Sequence, residues 1–231
     1  MNINAIIEGL PRFIDGVIIT VTYAGGSLLI GFFMAIPVAL MRSSRNRFFY
    51  WFSTGYVTFF RGTPLLAQLF LVYYGAGQFH HELDVIGLWD FFREPWFCAI
   101  FTLTLNTTAY TSEIWRGGLQ AIPKAEIEAA RACGLSDFQL LRHIMFPRAL
   151  GIGWPAYTNE VVYQIQATSL VSVISVMDIT GVARSIASRD FVYYEAFLFA
   201  AALYLLLVYG FIAFSRLVEK KLHRHLKDTT T

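Results

Sequence analysis

Five long runs of the chain are almost free of charge. Residues 16–41, 62–79, 95–112 and 196–215 contain no Asp, Glu, Lys or Arg, and 151–177 contains only Glu160. A buried core helix is usually shorter than such runs. The first alone makes about 39 Å of helix against about 30 Å of bilayer hydrocarbon. The pattern predicts an all-α membrane protein with five transmembrane helices. The N-terminal segment is not expected to be a signal peptide, because it lacks a basic leader and its apolar run is too long.

Basic residues orient the spans, since short loops rich in Lys and Arg stay in the cytoplasm. Arg42, Arg45 and Arg47 follow the first run. Arg116, Lys124, Arg131, Arg142 and Arg148 lie between the third and fourth, and the tail reads RLVEKKLHRHLK. The alternate segments hold only Arg12, then Arg93, then Arg184 and Arg189. The N-terminus is therefore expected outside and the C-terminus in the cytoplasm.

A polar island, EIEAARACGLSDFQLLRHIMFPRAL, separates the third and fourth runs (126–150) and falls on the cytoplasmic side. Pro123 suits the first position of a helix and Gly134 the residue just past its end. Ser136 and Gln139 make a capping-box pattern. Two short helices are predicted, bent at Gly134 and Leu135, the second running from Asp137 to about Met145 and stopping before Pro147. Ile127, Ala130, Gly134, Phe138, Leu141 and Met145 recur at three- and four-residue steps, giving one apolar stripe. Small Ala129 and Ala130 allow a close approach, with Glu128 and Arg131 beside them for polar complementarity. Lipid headgroups and a cytosolic partner both suit this surface.

Composition narrows the function. Hydrophobic residues make up 56% and charged residues 15% of the 231-residue chain, against about 25% charged in soluble domains. A net charge of +2 argues against nucleic acid. Cys98 and Cys133 show neither disulfide nor metal spacing, and Cys98 is expected to pack in an apolar helix. His80, His81 and Glu82 lack the order of a zinc site, so no metal is expected. His223 and His225 read as a solvated or headgroup-facing helix end. No Gly-Lys pair occurs, so no phosphate-cradling loop exists and the chain binds no ATP itself.

Ionisable residues within spans mark functional candidates. Glu160 shares a helix with Asn159, Gln164, Gln166 and Thr168, and Glu160 and Gln164 share a face. It serves either a helix-to-helix contact or a water-filled pocket that meets a cationic substrate. Residues 48–79 would make about 48 Å as one helix, and Gly62-Thr63-Pro64 supplies a break. Thr63 can cap and Pro64 can start the next helix. Arg61 and Thr63 at that break either hold a substrate carboxylate or leave Arg61 to snorkel or pair with Glu113 or Glu160. Asn106, Thr107 and Tyr110 either line the cavity or join helices. Glu113 is expected to pair with Arg116 at i,i+3.

Glu128-Ala129-Ala130, three residues, Gly134, nine residues, Ile144, one residue and Phe146-Pro147 resembles the EAA motif of ABC-importer permeases. Phe146 stands where the family usually has leucine. FRGTPLLAQ (60–68), LNTTAYTSEIWRGG (105–118) and PAYTNEVV (155–162) are similar to polar amino-acid permeases of the histidine/lysine/arginine/ornithine and octopine/nopaline type, a likeness running from about 14 to 225. It implies the five-helix type I ABC importer permease (MetI-like) fold in one permease domain, 1–231, with its core at about 14–216. A coupling loop at about 117–150 would seat Glu128, Ala129, Ala130, Arg131, Gly134 and Leu135 in a cytosolic ABC ATPase. The resemblance further implies that ATP and Mg reside on an ATPase homodimer and that no cofactor or catalytic residue belongs to this chain. It implies a second permease, paralogous or identical, a periplasmic substrate-binding protein and a multi-pass place in a bacterial inner membrane. It favours the pocket reading of Glu160 and a cargo of cationic amino acids (histidine, arginine, lysine, ornithine) or opines. The alternatives are a stand-alone secondary transporter or channel, and a membrane enzyme using Glu160 and a histidine. All five histidines lie in outer or cytoplasmic segments, which counts against the enzyme.

Overall fold

A computed structural model describes residues 3–227, except for the side chains of Ile3, Val218 and 220–227. His223 and His225 lie outside the described side chains. The described residues form helices joined by short turns. In chain order they form α1 (Ile3–Arg42), α2 (Arg47–Gly62), α3 (Leu65–Gln78), α4 (His80–Val85), α5 (Trp89–Phe92) and α6 (Pro95–Gln120). These are followed by α7 (Lys124–Ala132), α8 (Asp137–Leu140), a π turn (Leu141–Met145) and α9 (Phe146–Ala167). A 3-10 segment (Thr168–Ile174), α10 (Ile179–Asp190) and α11 (Tyr193–Lys227) complete the chain.

Among the described residues, two helices are long and apolar enough to cross a membrane, over Asn4–Arg42 and Tyr193–Leu217. Asp137–Ile174 and Ile179–Asp190, bent by 47° at the break between them, qualify together as a third. The run at 62–79 falls on α3, whose 14 residues span only about 21 Å. The run at 95–112 falls on α6, a 26-residue helix rich in Thr and Ser.

The interior is built where small or hydroxyl residues let helices cross closely. Phe13 of α1 packs with Ile179, Val182 and Ile186 of α10 and Ala196 and Ala200 of α11. Leu65 and Leu69 of α3 pack with Cys98, Ala99 and Leu103 of α6 and Val171 and Ile174 of the 3-10 segment. Cys98 is fully buried there, as its setting predicts. Ala35 and Ala39 of α1 meet Trp115 of α6, with Phe32 and Tyr157 alongside. Gly118 permits the tightest crossing of α6 and α9: a Cβ there would sit 2.6 Å from the Ala149 carbonyl oxygen.

The polar island folds largely as its residues dictate. Gly134 takes φ +80°, Leu135 N–H bonds the Ala130 carbonyl and Gly134 N–H that of Arg131, closing α7 with a Schellman pattern. The Ser136 hydroxyl accepts from Gln139 N–H while Gln139 Oε1 accepts from Ser136 N–H. The second helix does not stop before Pro147. The π turn widens the chain at Leu141–Met145, and Pro147 falls in the first turn of α9, where its missing N–H costs nothing. The chain therefore continues from α8 into α9 without a loop.

Candidate functional site

α2 and α3 break at Gly62-Thr63-Pro64. Thr63 closes α2 rather than opening α3: its N–H and its hydroxyl both donate to the Phe59 carbonyl. Pro64 stands just before α3, without a side-chain cap. Gln68, one turn further, donates from Nε2 to the Phe60 and Thr63 carbonyls and to Thr63 Oγ1. Asn106 of α6 donates to Gln68 Oε1 at 3.0 Å and to the Phe60 carbonyl. Thr63, Gln68 and Asn106 thus brace the break against α6.

Arg61 projects from the end of α2. Its guanidinium lies 5.1 Å from the centre of the Tyr110 ring, a cation–π arrangement, and 3.8 Å from Glu113. Glu113 accepts two bonds from Arg116 and lies 2.8 Å from Arg42 Nε. One carboxylate, 14% exposed, therefore gathers three arginines from α1, α2 and α6. The i,i+3 spacing exposes the Arg116 contact in the sequence; the other two cross between helices and have no local signal.

Glu160 of α9 is 6% exposed, and its Oε1 accepts from Thr107 Oγ1 of α6 at 2.8 Å. No described Lys or Arg lies within ion-pair distance of it. Gln164 faces inward too, donating to Ser27 Oγ of α1 and to the Leu103 carbonyl. Asn159 points the other way. Ile152, Ala156, Asn159, Tyr163 and Gln166 form an exposed stripe at three- and four-residue steps, and Glu160 sits at its edge. Tyr163, which the sequence did not single out, is 43% exposed with its ring 6.0 Å from that of Tyr110. The structure thus brings Arg61, Tyr110, Tyr163, Asn159 and Glu160 to one face. It places Thr63, Asn106 and Gln164 in helix-joining bonds behind it.

A carboxylate buried with one neutral donor keeps acceptor capacity for a cation. Beside it, half-exposed tyrosines offer ring faces and phenol oxygens, and a guanidinium offers donors. Such a face suits a zwitterion bearing an extra positive charge. An apolar cavity of about 390 Å³, lined by Val21, Leu28, Trp154, Val161 and Phe211 among others, lies on the opposite side of α9. No group of His, Cys, Asp and Glu among the described residues could hold a metal ion.

Of the coupling candidates, Glu128, Ala129, Arg131 and Gly134 are exposed, Leu135 is half-buried and Ala130 is buried. Along the expected apolar stripe, Phe138 is 68% exposed. Arg131 pairs with Asp137 at 3.2 Å.

Residues 27–224 match the family described as binding-protein-dependent transport system inner membrane component. The chain is 48% identical over 227 residues to the nopaline transport system permease protein of Agrobacterium fabrum, covering 98% of this chain and 94% of that one. It is 42% identical over 201 residues to an octopine transport system permease protein of Rhizobium meliloti (86% and 80%). It is 38% identical over 216 residues to the histidine/lysine/arginine/ornithine transport system permease protein of Escherichia coli (94% and 91%). Among solved structures, an amino acid ABC transporter with histidines superposes with a TM-score of 0.85 at 30% identity, covering 96% of this chain and 99% of that one. The methionine ABC transporter, at 20% identity and a TM-score of 0.74 over 92% and 97%, shares the fold.

Proposed function

The chain belongs to the family of inner membrane components of binding-protein-dependent transport systems and is a permease subunit of an ABC importer; we propose that its cargo is a cationic amino acid or an opine. The likeness to nopaline, octopine and histidine/lysine/arginine/ornithine permeases over most of the chain carries this reading. Glu160 supports it. A buried carboxylate with no described Lys or Arg within ion-pair distance favours cargo with a guanidinium or ammonium. Arg61 with Tyr110 and Tyr163 would meet the cargo's carboxylate end and its stem, with Asn159 at the rim.

The charge pattern and the family support the remaining architecture of the proposal. Five spans run with the N-terminus periplasmic and the C-terminus cytoplasmic. The exposed stripe of α9 forms the seam with a second, paralogous permease, so that cargo passes between the two. Two ATPase subunits, carrying ATP and Mg, seat the α7 loop through Glu128, Ala129, Ala130, Arg131, Gly134 and Leu135. A periplasmic binding protein delivers cargo, and rocking of the permease pair gives alternating access.

Reconstitution of the co-purified complex in proteoliposomes tests the reading. Arginine or an opine should stimulate ATP hydrolysis and enter the vesicles only with ATP and the binding protein. Uptake that survives ATP depletion but collapses with the proton gradient would make the chain a secondary transporter instead.

A further inference from the structure

We propose that α9 is a lever: the Glu126–Arg148 ion pair drives it, the Gly118–Ala149 contact is its pivot, and the Thr107–Glu160 hydrogen bond is the clasp it opens. The proposal rests on the permease reading, in which an ATPase moves α7.

The backbone between α7 and α9 is poorly suited to carry a push. It passes a positive-φ bend at Gly134, four residues of α8 and the five-residue π turn. A π turn is a place where a helix bends or shifts register rather than transmitting displacement stiffly. The other ion pair on this path among the described residues, Arg131–Asp137, is 61% and 88% exposed, and it ends on α8, before the π turn.

The Glu126–Arg148 pair bypasses all of this. Arg148 Nη2 donates to Glu126 Oε1 at 3.2 Å across 22 residues. It joins the first turn of α7 directly to the first turn of α9, and both side chains are 37% exposed. Arg148 is also next in sequence to Ala149, whose carbonyl lies against Gly118 closely enough to exclude a Cβ. A displacement delivered at Arg148 therefore acts beside a point where α6 and α9 cannot move closer. Eleven residues beyond that point, about 16 Å along the helix, Glu160 meets Thr107 of α6. Displacement by rotation about the crossing is smallest at Arg148 and larger at Glu160, so a small movement of α7 separates the carboxylate from Thr107 and changes its access to the exposed face.

The test uses the complete complex in proteoliposomes, carrying Arg148→Gln, Glu126→Gln, or the reversed pair Glu126→Arg with Arg148→Glu. ATP hydrolysis and the amount of ATPase co-purified should persist in both single variants, while arginine uptake per ATP falls about fivefold and the reversed pair recovers about half of the loss. Single variants with wild-type uptake per ATP, or a reversed pair no better than either single, would overturn the lever. Should Arg148→Gln fail to assemble, Glu126→Gln carries the same test from the other side of the pair, and full uptake per ATP there overturns the proposal equally. Spin labels on Lys124→Cys and Ile152→Cys in a Cys133→Ser background read the strut without transport. Their separation should stay constant through the ATP cycle and vary once Arg148 is replaced; variation with the pair intact refutes it. A wild-type complex that moves no amino acid with ATP would refute the permease reading, and the label distances distinguish that failure from a failure of the strut.

Discussion

The Thr107 hydroxyl donates to Glu160 Oε1 at 2.8 Å, so the lone acid of a long apolar run faces α6 from the edge of an uncovered face of α9. Among the described residues no Lys or Arg lies within ion-pair distance of the carboxylate, and Arg61 attracts it only from farther away. Glu160→Gln keeps the shape and the Thr107 contact but removes the attraction for a cationic cargo. The KM for arginine uptake is expected to rise at least about tenfold, equivalent to about 1.4 kcal/mol. Assembly with the ATPase, read by co-purification, should be unchanged, and unaltered uptake would remove Glu160 from the site.

Glu113 holds Arg42, Arg61 and Arg116 together. Glu113→Gln would leave three cations facing one another across α1, α2 and α6, two of them with side chains no more than 25% exposed. Removing the shared partner of largely buried charges typically costs about 3–5 kcal/mol. Arg61 is 44% exposed and water screens it, so a loss of about 2–3 kcal/mol is expected. Thermal unfolding of the detergent-solubilised complex measures it. Arg61→Gln should cost far less stability, so any large loss of uptake in that variant reports on cargo rather than folding.

How much of this was legible in the sequence depended on whether the cause was local. The Schellman closure at Gly134, the Ser136 capping box, the break at Gly62-Thr63-Pro64 and the Glu113–Arg116 pair each arise within a few residues, and the structure shows each. Thr63 caps the preceding helix instead of the next because Gln68 folds back onto it, a choice made by a side chain outside the break. The continuation through Pro147 needed a π turn, for which the sequence has no simple signature. Tyr163 beside Tyr110, Arg42 on Glu113 and Arg148 on Glu126 depend on how helices cross, and spacing along the chain contains no trace of that. The whole-chain likeness carried the function; the residues alone left lipid and partner, pocket and helix glue, both open.

Gly118→Ala tests the α6–α9 crossing by itself. The added methyl would lie 2.6 Å from the Ala149 carbonyl oxygen, a backbone atom that cannot rotate away. Overpacking of this kind costs about 1–3 kcal/mol. The melting temperature of the complex should drop accordingly. Gly117→Ala, one residue away with open space around its position, should leave it unchanged or slightly raised.

Asp178 anchors the start of α10 against α11. Fully buried, it caps α10 by accepting from Gly181 N–H, while its second oxygen accepts from the Tyr204 hydroxyl of α11 at 2.7 Å. Tyr204→Phe removes the donor and leaves a buried carboxylate oxygen short of a partner, a change worth about 1–3 kcal/mol. Asp178→Asn retains a capping oxygen and an acceptor for Gly181, so its effect should be smaller. Hydrogen exchange over Ile179–Asp190 is the direct measurement: faster exchange confined to α10 and the facing part of α11 is expected in Tyr204→Phe, and uniform exchange across the chain would contradict an anchoring role.

Gly134 takes φ +80° with nothing within 4 Å of where a Cβ would be. Space is therefore no obstacle there, and conformation alone resists substitution. A non-glycine residue in the left-handed region costs about 1–2 kcal/mol, which Gly134→Asn should reduce, since Asn tolerates that region. Gly134→Asp keeps the shape of Asn and adds a charge on the exposed tip of the α7 bend. If that tip sits in an ATPase groove, Gly134→Asp should lower ATPase co-purification or uptake per ATP at least about fivefold, while Gly134→Asn, strained almost equally, stays near wild type. Equal losses in the two variants would assign the effect to backbone strain, and full activity in both would place the ATPase contact elsewhere on the loop.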